Sequence, residues 1–503
     1  MELTSFKFLC FFALILIIYY LLPALTGGRG QRYVLLAASL IYYVLAGNGL
    51  LIVCPLAASF ATWLCVRAVL RMGRENVTER RIILIIELVI LLGSLAAFKV
   101  FGYLGIRPGG YGAPLGLSFY TFILLGYFLD VYNGIDKGEY DLAGTVLGGM
   151  YFPLMTSGPI VRFRESAEQY SKPHLIDYDA LVRGLQRMLW GFFKQLVISQ
   201  RLGKIVDSVY AQGSGYDGWY VWLGTVCFAF QLYTNFSGCM DIVLGLSEAL
   251  GLSLPENFRL PFLATTISEY WRRWHITLGT WMRDMVFYPL LRSRFFMAQG
   301  KRLAARFGKK TGKKLNTWGA MFVLWTAVGL WHGGALKYVI GSGLLHWLYI
   351  VAGEATLPFF TALWTDKLQI DPKNRFLEAL RVIRTFFLVC IGFVFFRADS
   401  TPHALLLLLR GLPWRTAAPA GGGFFAMGLN WIEWGVLLVS LAIMIAVELA
   451  DEKLSAEGGI RAKIAGLKLF PRWAIWFALL FYVVLLGEYG PGYSAAEFIY
   501  RGF

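Results

Sequence analysis

Long apolar stretches recur from one end of this chain to the other, and they constrain its fold more than any other feature. Twelve such stretches are separated by polar segments, at residues 8–25, 33–46, 50–70, 82–101, 115–131, 181–198, 219–233, 322–331, 340–351, 377–396, 431–447 and 473–486. Several approach the roughly 20 residues that a helix needs to cross a bilayer, and others are short enough to be broken or re-entrant. The pattern predicts an all-α, polytopic integral membrane protein with about 11–13 transmembrane helices plus re-entrant or short interfacial helices.

The composition argues against one large soluble domain. Hydrophobic residues make up 57% of the 503 residues and charged residues only 16%, whereas a surface that faces water needs more charge than this. No internal repeat or low-complexity tract divides the chain, so the sequence predicts a single membrane domain over residues 1–503. The 55 glycines and 17 prolines indicate closely packed and interrupted helices.

The net charge of +16 suits the positive-inside rule better than nucleic-acid binding, because the basic residues stand between apolar stretches. Segments 67–81, 292–314 and 453–472 are therefore predicted to be cytoplasmic, with the amino terminus outside. Segment 292–314 contains nine Lys or Arg and no acidic residue. It either anchors the chain at anionic headgroups or forms a docking surface for an acidic carrier protein or a nucleotide-containing thioester donor.

Two histidines lie within apolar sequence that is rich in tryptophan. They are His275, in Tyr270-Trp-Arg-Arg-Trp-His-Ile-Thr-Leu, and His332, in Gly329-Leu-Trp-His-Gly-Gly. An ionisable side chain at membrane depth costs free energy, which makes it a candidate functional residue. The alternative is that each imidazole simply forms a hydrogen bond with a neighbouring carbonyl group.

Short motifs with polar residues follow one another in order through the middle of the chain. They are Leu115-Gly-Leu-Ser-Phe-Tyr-Thr-Phe, Gly158-Pro-Ile-Val-Arg-Phe, Phe236-Ser-Gly with Asp241, Leu254-Pro-Glu-Asn-Phe, Trp271-Arg-Arg-Trp-His-Ile-Thr-Leu and Leu330-Trp-His-Gly. This set resembles the membrane-bound O-acyltransferase family, and within it the alginate O-acetyltransferase branch, whose longer chains continue into an element similar to Phe396-Arg-Ala. The resemblance implies a catalytic core over residues 90–400, amino-terminal helices over 1–90 and carboxyl-terminal helices over 401–503.

The resemblance also implies an activity and its setting. It implies a tunnel through which an acyl group moves from a cytoplasmic thioester donor, acetyl-CoA or an acyl carrier protein, towards an acceptor outside a bacterial plasma membrane. An extracytoplasmic acyltransferase partner, membrane lipids and a polysaccharide acceptor are the expected partners, and nucleic acid is not. Neither a bound cofactor nor a metal is expected, since the cysteines and histidines lack metal-ligand spacing.

By motif, His332 matches the catalytic histidine of the family and His275 its second signature position. Transfer to a hydroxyl requires removal of the hydroxyl proton, and a neutral imidazole is suited to that task near neutral pH. If a helix begins near Thr317, His332 lies about 23 Å along it, past the middle of a core of about 30 Å. Gly333 and Gly334 would let this helix break beside the imidazole. For His275, a structural or donor-orienting role stands beside a role in proton transfer.

Further polar and aromatic residues near these motifs are candidates for lining the tunnel or contacting substrate. They are Asn235, Ser237, Asp241, Trp331, Arg272, Arg273 and Tyr233. The polar residues of segment 235–241 could instead form a buried network that holds helices together. The two arginines could belong to an interfacial anchor with Trp274 and Trp281, or could contact the phosphate or pantetheine of a donor.

The leading functional hypothesis is therefore an O-acyltransferase, with acetyl as the favoured acyl group and a secreted or cell-surface polysaccharide as the acceptor. D-alanyl transfer to teichoic acid is the first alternative. A transporter or a non-catalytic scaffold of a polysaccharide export complex is the second. Transporters often show repeated halves, which are not visible here, and a scaffold needs no histidine at membrane depth.

Overall fold

The computed structural model describes residues 1–26, 30–106, 112–419 and 422–490. In this part of the chain the secondary structure is helical, and two isolated β-bridges, Asp217 with Ala417 and Phe258 with Trp274, are the only β-pairing. The prediction of an all-α membrane protein is confirmed. The helices of the first third are α1 (Phe6–Thr26), α2 (Gln31–Tyr43), α3 (Val53–Arg71), α4 (Val77–Tyr103), α5 (Leu117–Tyr132) and α6 (Leu142–Met150).

The middle of the chain alternates long helices with short ones that carry the polar motifs. Its helices are α7 (Leu154–Ser157), α8 (Phe163–Tyr170), α9 (Tyr178–Phe192), α10 (Gln200–Tyr210), α11 (Trp219–Ala249), α12 (Ile267–Arg273), α13 (Ile276–Met282), α14 (Tyr288–Arg292), α15 (Arg294–Phe307) and α16 (Lys309–Trp331). Two π-helical segments, Phe193–Ser199 and Arg283–Phe287, interrupt this region. Such segments widen a helix locally and are frequent at functional sites.

The last third begins directly after α16. Its helices are α17 (Leu336–Tyr338), α18 (Leu345–Ala362), α19 (Arg375–Arg397), α20 (Thr401–Arg410), α21 (Trp431–Lys453), α22 (Gly459–Ala465) and α23 (Leu469–Leu486). Another π-helical segment, Val339–Leu344, joins α17 to α18 and packs against both α16 and α19. The chain therefore returns into the molecule immediately after the sequence around His332.

Within the described ranges, six helical spans are long and apolar enough to cross a membrane by length and composition, and three shorter apolar helices accompany them. This is fewer than the predicted number of transmembrane helices. Part of the reason is that the apolar stretch at 181–198 continues from α9 into a π-helical segment and carries charged residues. A second part is that α11, although 31 residues long, contains a run of polar side chains.

Helices α9 and α11 form the most extensive helix pair, and glycines at their interface allow the two backbones to touch. A Cβ atom at Gly191 would lie 2.5 Å from the carbonyl oxygen of Gly238, and one at Gly245 would lie 2.8 Å from the amide nitrogen of Met188. Real side chains do not tolerate such separations. The close packing that the glycine content indicated is thus present, and it allows α11 to carry its polar residues next to α9.

Replacing Gly245 by alanine is expected to lower the free energy of unfolding by about 1–3 kcal/mol, because the added methyl group must push α9 and α11 apart. Thermal unfolding in detergent measures the effect. Gly353→Ala is the matched control, because nothing lies within 4 Å of its added Cβ in α18. That variant should unfold at the same temperature or slightly higher, since alanine favours helix more than glycine does. An equal loss in both variants would contradict the packing argument.

Candidate functional site

His332 lies at the end of α16, where the helix stops. Its backbone N–H donates to the carbonyl of Val328 at 3.2 Å, and its ring is almost fully buried. Gly333 and Gly334 follow with φ angles of 141° and 75°, which side-chain-bearing residues rarely adopt. The predicted break beside the imidazole is confirmed. The helix begins at Lys309 rather than near Thr317, because the basic residues before Thr317 continue the same helix.

His275 is held at a turn between α12 and α13. Its φ of 48° and ψ of 51° place it in the left-handed region, a strained conformation that persists only when the surroundings enforce it. Here Asn257 enforces it. The backbone carbonyl oxygen of Asn257 accepts from the N–H of Ile276, and its side-chain oxygen accepts from the N–H and the hydroxyl of Thr277, each at 3.0 Å. The motif that contains Asn257 thus fixes the backbone around His275.

The same contacts assign the tautomer of His275. The Nδ1 atom lies 3.3 Å from Oδ1 of Asn257, and because this oxygen already accepts from Thr277, it is the carbonyl oxygen of the amide. Only a protonated Nδ1 can donate to it. In the neutral imidazole, Nε2 is then the nitrogen that can accept a proton or a hydrogen bond.

Trp331 brings the two histidines together. Its ring centroid lies 4.6 Å from that of His332 and 6.0 Å from that of His275. The ring of Phe122 stacks on it at 5.9 Å, and Phe396 contacts His332 at 5.6 Å. Both imidazoles therefore belong to one buried aromatic cluster, which is built from α5, α13, α16 and α19.

A lysine also reaches this cluster. The ammonium group of Lys99, on α4, donates a hydrogen bond to the carbonyl oxygen of Trp331 and lies 5.8 Å from the centre of its ring. The carbonyl belongs to the last turn of α16, where the helix macrodipole places partial negative charge, and a cation there is favourable. Lys99 thus holds the end of α16 in place beside His332.

The candidate tunnel residues on α11 lie in a different arrangement. Asn235 is buried, Ser237 accepts from the ammonium of Lys194 at 3.0 Å, and Asp241 pairs with the same ammonium at 2.5 Å. The hydroxyl of Tyr233 donates to Glu448 of α21 at 2.8 Å. These contacts correspond to the alternative reading of this segment, in which buried polar residues join helices.

We call the ion pairs around Asp241 the α11 network. Besides Lys194, Asp241 binds the guanidinium of Arg187 at 3.1 Å, and Glu448 lies 3.7 Å from Lys194. The side chains of Lys194 and Asp241 are 4% and 13% exposed. From the sequence alone, the 3.6-residue spacing of Arg183, Arg187 and Lys194 predicts a basic stripe that faces the cytoplasm. For Arg187, on α9, and Lys194, in the π-helical segment after it, this prediction is wrong, because carboxylates distant in sequence pair with both side chains inside the molecule.

The two arginines before His275 differ in their surroundings. Arg273 pairs with Glu269 at 2.8 Å across one turn of α12, whereas Arg272 is exposed. Burial acts to raise the pKa of Glu269, but hydrogen bonds from Thr265 together with Arg273 outweigh it and hold the pKa below its usual value. Glu269 therefore remains charged near neutral pH and steadies the end of α12.

The neighbouring tryptophans are not interfacial anchors. Trp274 and Trp281 are 2% and 5% exposed, and the indole N–H of Trp281 donates to the carbonyl of Phe122 at 2.9 Å. Both side chains are enclosed by protein. Trp281 also stacks on the ring of Phe122, with 4.3 Å between centroids, and so supports the wall of the cluster around Trp331.

Sequence reasoning missed Lys99, Glu448 and the role of Asn257, and it placed Lys194 at the surface. A signal existed for the two lysines and Glu448, since both lysines lie inside apolar stretches and Glu448 directly follows one. For Asn257 the motif was visible, but its contact with His275 arises only when two loops lie side by side. In the part of the chain that the structure describes, no group of three or more His, Cys, Asp or Glu side chains could hold a metal ion.

Comparison with known proteins places this geometry in context. The profile of the membrane-bound O-acyltransferase family matches residues 149–376, a segment that contains both histidines. The chain is 29% identical over 403 residues to a protein named probable alginate O-acetylase AlgI from Pseudomonas aeruginosa, an alignment that covers 78% of this chain and 71% of the relative.

Two other similar proteins carry related names. A teichoic acid D-alanyltransferase from Bacillus subtilis is 28% identical over 295 residues, which is 58% of this chain and 70% of that protein. A peptidoglycan O-acetyltransferase from Helicobacter pylori is 25% identical over 325 residues, covering 59% of this chain and 56% of that protein. The three names describe transfer of an acetyl or a D-alanyl group, and they specify alginate, teichoic acid and peptidoglycan.

Proposed function

Because the chain belongs to the membrane-bound O-acyltransferase family, we propose that it moves an acetyl group from a cytoplasmic thioester to hydroxyl groups outside the plasma membrane, on the path to O-acetylation of a polysaccharide. The observation that carries this proposal is the buried cluster in which His332 and His275 contact the same indole ring of Trp331. In such a cluster both imidazoles lie in one apolar environment from which bulk water is excluded.

His332 is the general base in this proposal. The acceptor oxygen attacks the thioester carbonyl carbon while His332 takes the hydroxyl proton, which gives a tetrahedral intermediate and an imidazolium. The intermediate then collapses, the C–S bond breaks, and the departing thiolate receives the proton from the imidazolium. Burial favours the neutral imidazole that begins this cycle, and His275, with its proton on Nδ1, orients the donor through Nε2.

In this proposal the direction of transfer rests on the orientation of α16. This helix has 23 residues and is about 35 Å long, although it is not among the six spans that are apolar enough along their length to cross a membrane. Its first residues belong to the basic segment 292–314, and its last residue precedes His332. With the basic segment in the cytoplasm, the thioester enters from that side and the imidazole lies towards the outside. The exposed cations of the segment suit the phosphates of coenzyme A or an acidic carrier protein.

Because a polymer acceptor lies outside the membrane, the site must open to that side. An extracytoplasmic protein that takes part in the transfer belongs to this proposal. The related alginate O-acetylase and peptidoglycan O-acetyltransferase carry names that specify acetyl transfer. D-alanyl transfer is the second candidate, and its support is the similarity to the teichoic acid D-alanyltransferase. The two candidates differ in the donor, which makes them separable by experiment.

Membranes from cells that produce the chain are expected to transfer label from acetyl-CoA to an external polysaccharide or partner protein, and membranes without the chain are not. Three donors are compared: acetyl-CoA, an acetylated acyl carrier protein and a D-alanylated carrier protein. Transfer from either acetyl donor supports the proposal and identifies the donor. Transfer from the D-alanylated carrier alone would replace acetylation by D-alanylation, and transfer to an acceptor on the cytoplasmic side only would overturn the direction.

A further inference from the structure

A second polar pair lies inside the molecule, next to the site but outside the cluster around Trp331. It consists of His346, in the first turn of α18, and Trp271, in α12, with 5.0 Å between ring centroids. His346 is 4% exposed. Nδ1 of His346 and the indole nitrogen Nε1 of Trp271 are both buried, and neither has a hydrogen-bond partner in the described part of the chain.

Aromatic rings surround the imidazole. Trp325 lies near-parallel to it at 5.7 Å, Tyr270 lies parallel to it at 6.4 Å, and Tyr349 contacts it edge-on at 6.1 Å. On another side stands Gly392 of α19, where a Cβ would lie 3.2 Å from Nε2 of His346. The rings fix the position of the imidazole, but none of these contacts supplies a hydrogen bond to Nδ1.

Two buried polar atoms that lack partners require an explanation, because leaving a buried donor or acceptor unsatisfied costs free energy. The two atoms are complementary. The indole N–H only donates, and Nδ1 of a neutral imidazole accepts when the proton is on Nε2. A chain with two secondary amides in series would satisfy both atoms, with the C=O of one amide accepting from the indole and the N–H of the other donating to Nδ1.

The position of the pair relative to His332 indicates which molecule would bring such amides to it. Trp325, which packs on both Trp271 and His346, precedes His332 by seven residues in α16, which is about 10 Å along the helix. This displacement is towards Lys309, the end of α16 at which the donor enters. The pantetheine arm of a thioester donor carries two secondary amides in series behind its sulfur, and it is the same in coenzyme A and in carrier proteins.

We propose that Trp271 and His346 bind the two amides of the pantetheine arm and so set the depth at which the thioester stops beside His332. The indole N–H of Trp271 donates to the carbonyl of one amide, and Nδ1 of His346 accepts from the N–H of the other. Both residues are positioning residues for the donor. The inference rests on the proposed function, because it takes the donor to be a pantetheine thioester that enters from the basic end of α16.

The test is a binding measurement that needs no catalysis. The probe is S-acetonylpantetheine, a thioether that cannot transfer its acyl-like group, and calorimetry measures its affinity for the full chain in detergent. Two further probes each replace one of the two amides by an ester, which removes one N–H. We expect one ester probe to bind the unaltered protein about tenfold more weakly than the parent probe, the usual effect of one lost hydrogen bond.

The variant His346→Leu should bind the parent probe about tenfold more weakly and should no longer distinguish it from that ester probe, because the partner of the N–H is gone. His346→Gln, which keeps an acceptor, should recover part of the affinity. Trp271→Phe should weaken all three probes, whereas Trp63→Phe, which removes another buried indole on α3, should weaken none.

Three results would overturn the inference: both ester probes binding as tightly as the parent, an ester effect that persists in His346→Leu, or no binding of the parent probe to the unaltered protein. A water molecule bridging the pair, or a purely structural role, would produce one of the first two. Failure of the proposed function looks different. There the probe would bind with the expected pattern while membranes transferred no acetyl group.

Discussion

Replacing His332 by alanine is expected to lower the rate of acyl transfer by about 10²- to 10⁴-fold, the usual contribution of a positioned general base. The imidazole is buried at the end of α16 and contacts Trp331 and Phe396, and alanine has no group that accepts a proton. The rate is measured in membranes with a labelled acetyl thioester, at expression matched to the unaltered protein.

The variant must fold for this loss to be informative. Thermal unfolding in detergent reports on folding, and binding of S-acetonylpantetheine should remain close to that of the unaltered protein. His174→Ala is the control for replacing a histidine outside the cluster around Trp331. The ring of His174 bonds to the carbonyl oxygen of Gln169, and its backbone N–H donates to the side chain of Gln31. Equal transfer by the unaltered protein and His332→Ala would remove His332 from the mechanism.

Replacing Asp241 by alanine is expected to lower the free energy of unfolding by about 3–5 kcal/mol, because it removes the nearest counter-ion of the buried Lys194 ammonium. The carboxylate of Asp241 pairs with Lys194 at 2.5 Å and with Arg187 at 3.1 Å. Arg187 keeps Glu256 as a partner at 2.6 Å, but Lys194 is left with Glu448 at 3.7 Å. Unfolding of the purified protein in detergent, followed against temperature or denaturant, provides the measurement.

A solvent-exposed ion pair supplies the comparison. Lys463 and Glu457 lie 3.6 Å apart with more than half of each side chain exposed, and such pairs contribute at most about 1 kcal/mol. Glu457→Ala should therefore leave stability almost unchanged. A loss as small in Asp241→Ala as in Glu457→Ala would mean that water reaches the α11 network, contrary to the burial that the structure assigns to it.

The residues around His332 could be predicted from sequence because their constraints are local. An apolar helix, a histidine and two glycines in succession require a break at that point, and the structure has it at Gly333 and Gly334. The pairing of Lys194 with Glu448 could not be predicted, since 254 positions separate the two residues and only the packing of the π-helical segment Phe193–Ser199 against α11 and α21 brings them together. Periodicity showed that Arg183, Arg187 and Lys194 share a face, but not which carboxylates that face meets.

Six helical spans and three shorter apolar helices of the described residues are candidates to cross a membrane, and the count of 11–13 transmembrane helices stays a prediction. Apolar stretches in the sequence were treated as continuous α-helices, whereas π-helical segments overlap several of them, at Val44–Asn48, Phe193–Ser199 and Val339–Leu344. Hydropathy records how apolar a segment is. It does not record where the pattern of backbone hydrogen bonds changes.

The walls around the two imidazoles come from a wider region than the segment that identifies the family. Residues 149–376 match the family profile, yet Lys99 and Phe122 precede that segment and Phe396 follows it, and all three touch His332 or its neighbour Trp331. A fragment trimmed to the matching segment would keep both histidines and lose this enclosure. The enclosure of the two imidazoles thus depends on residues on both sides of the matching segment, and transplanting that segment onto other flanking helices would change the walls around them.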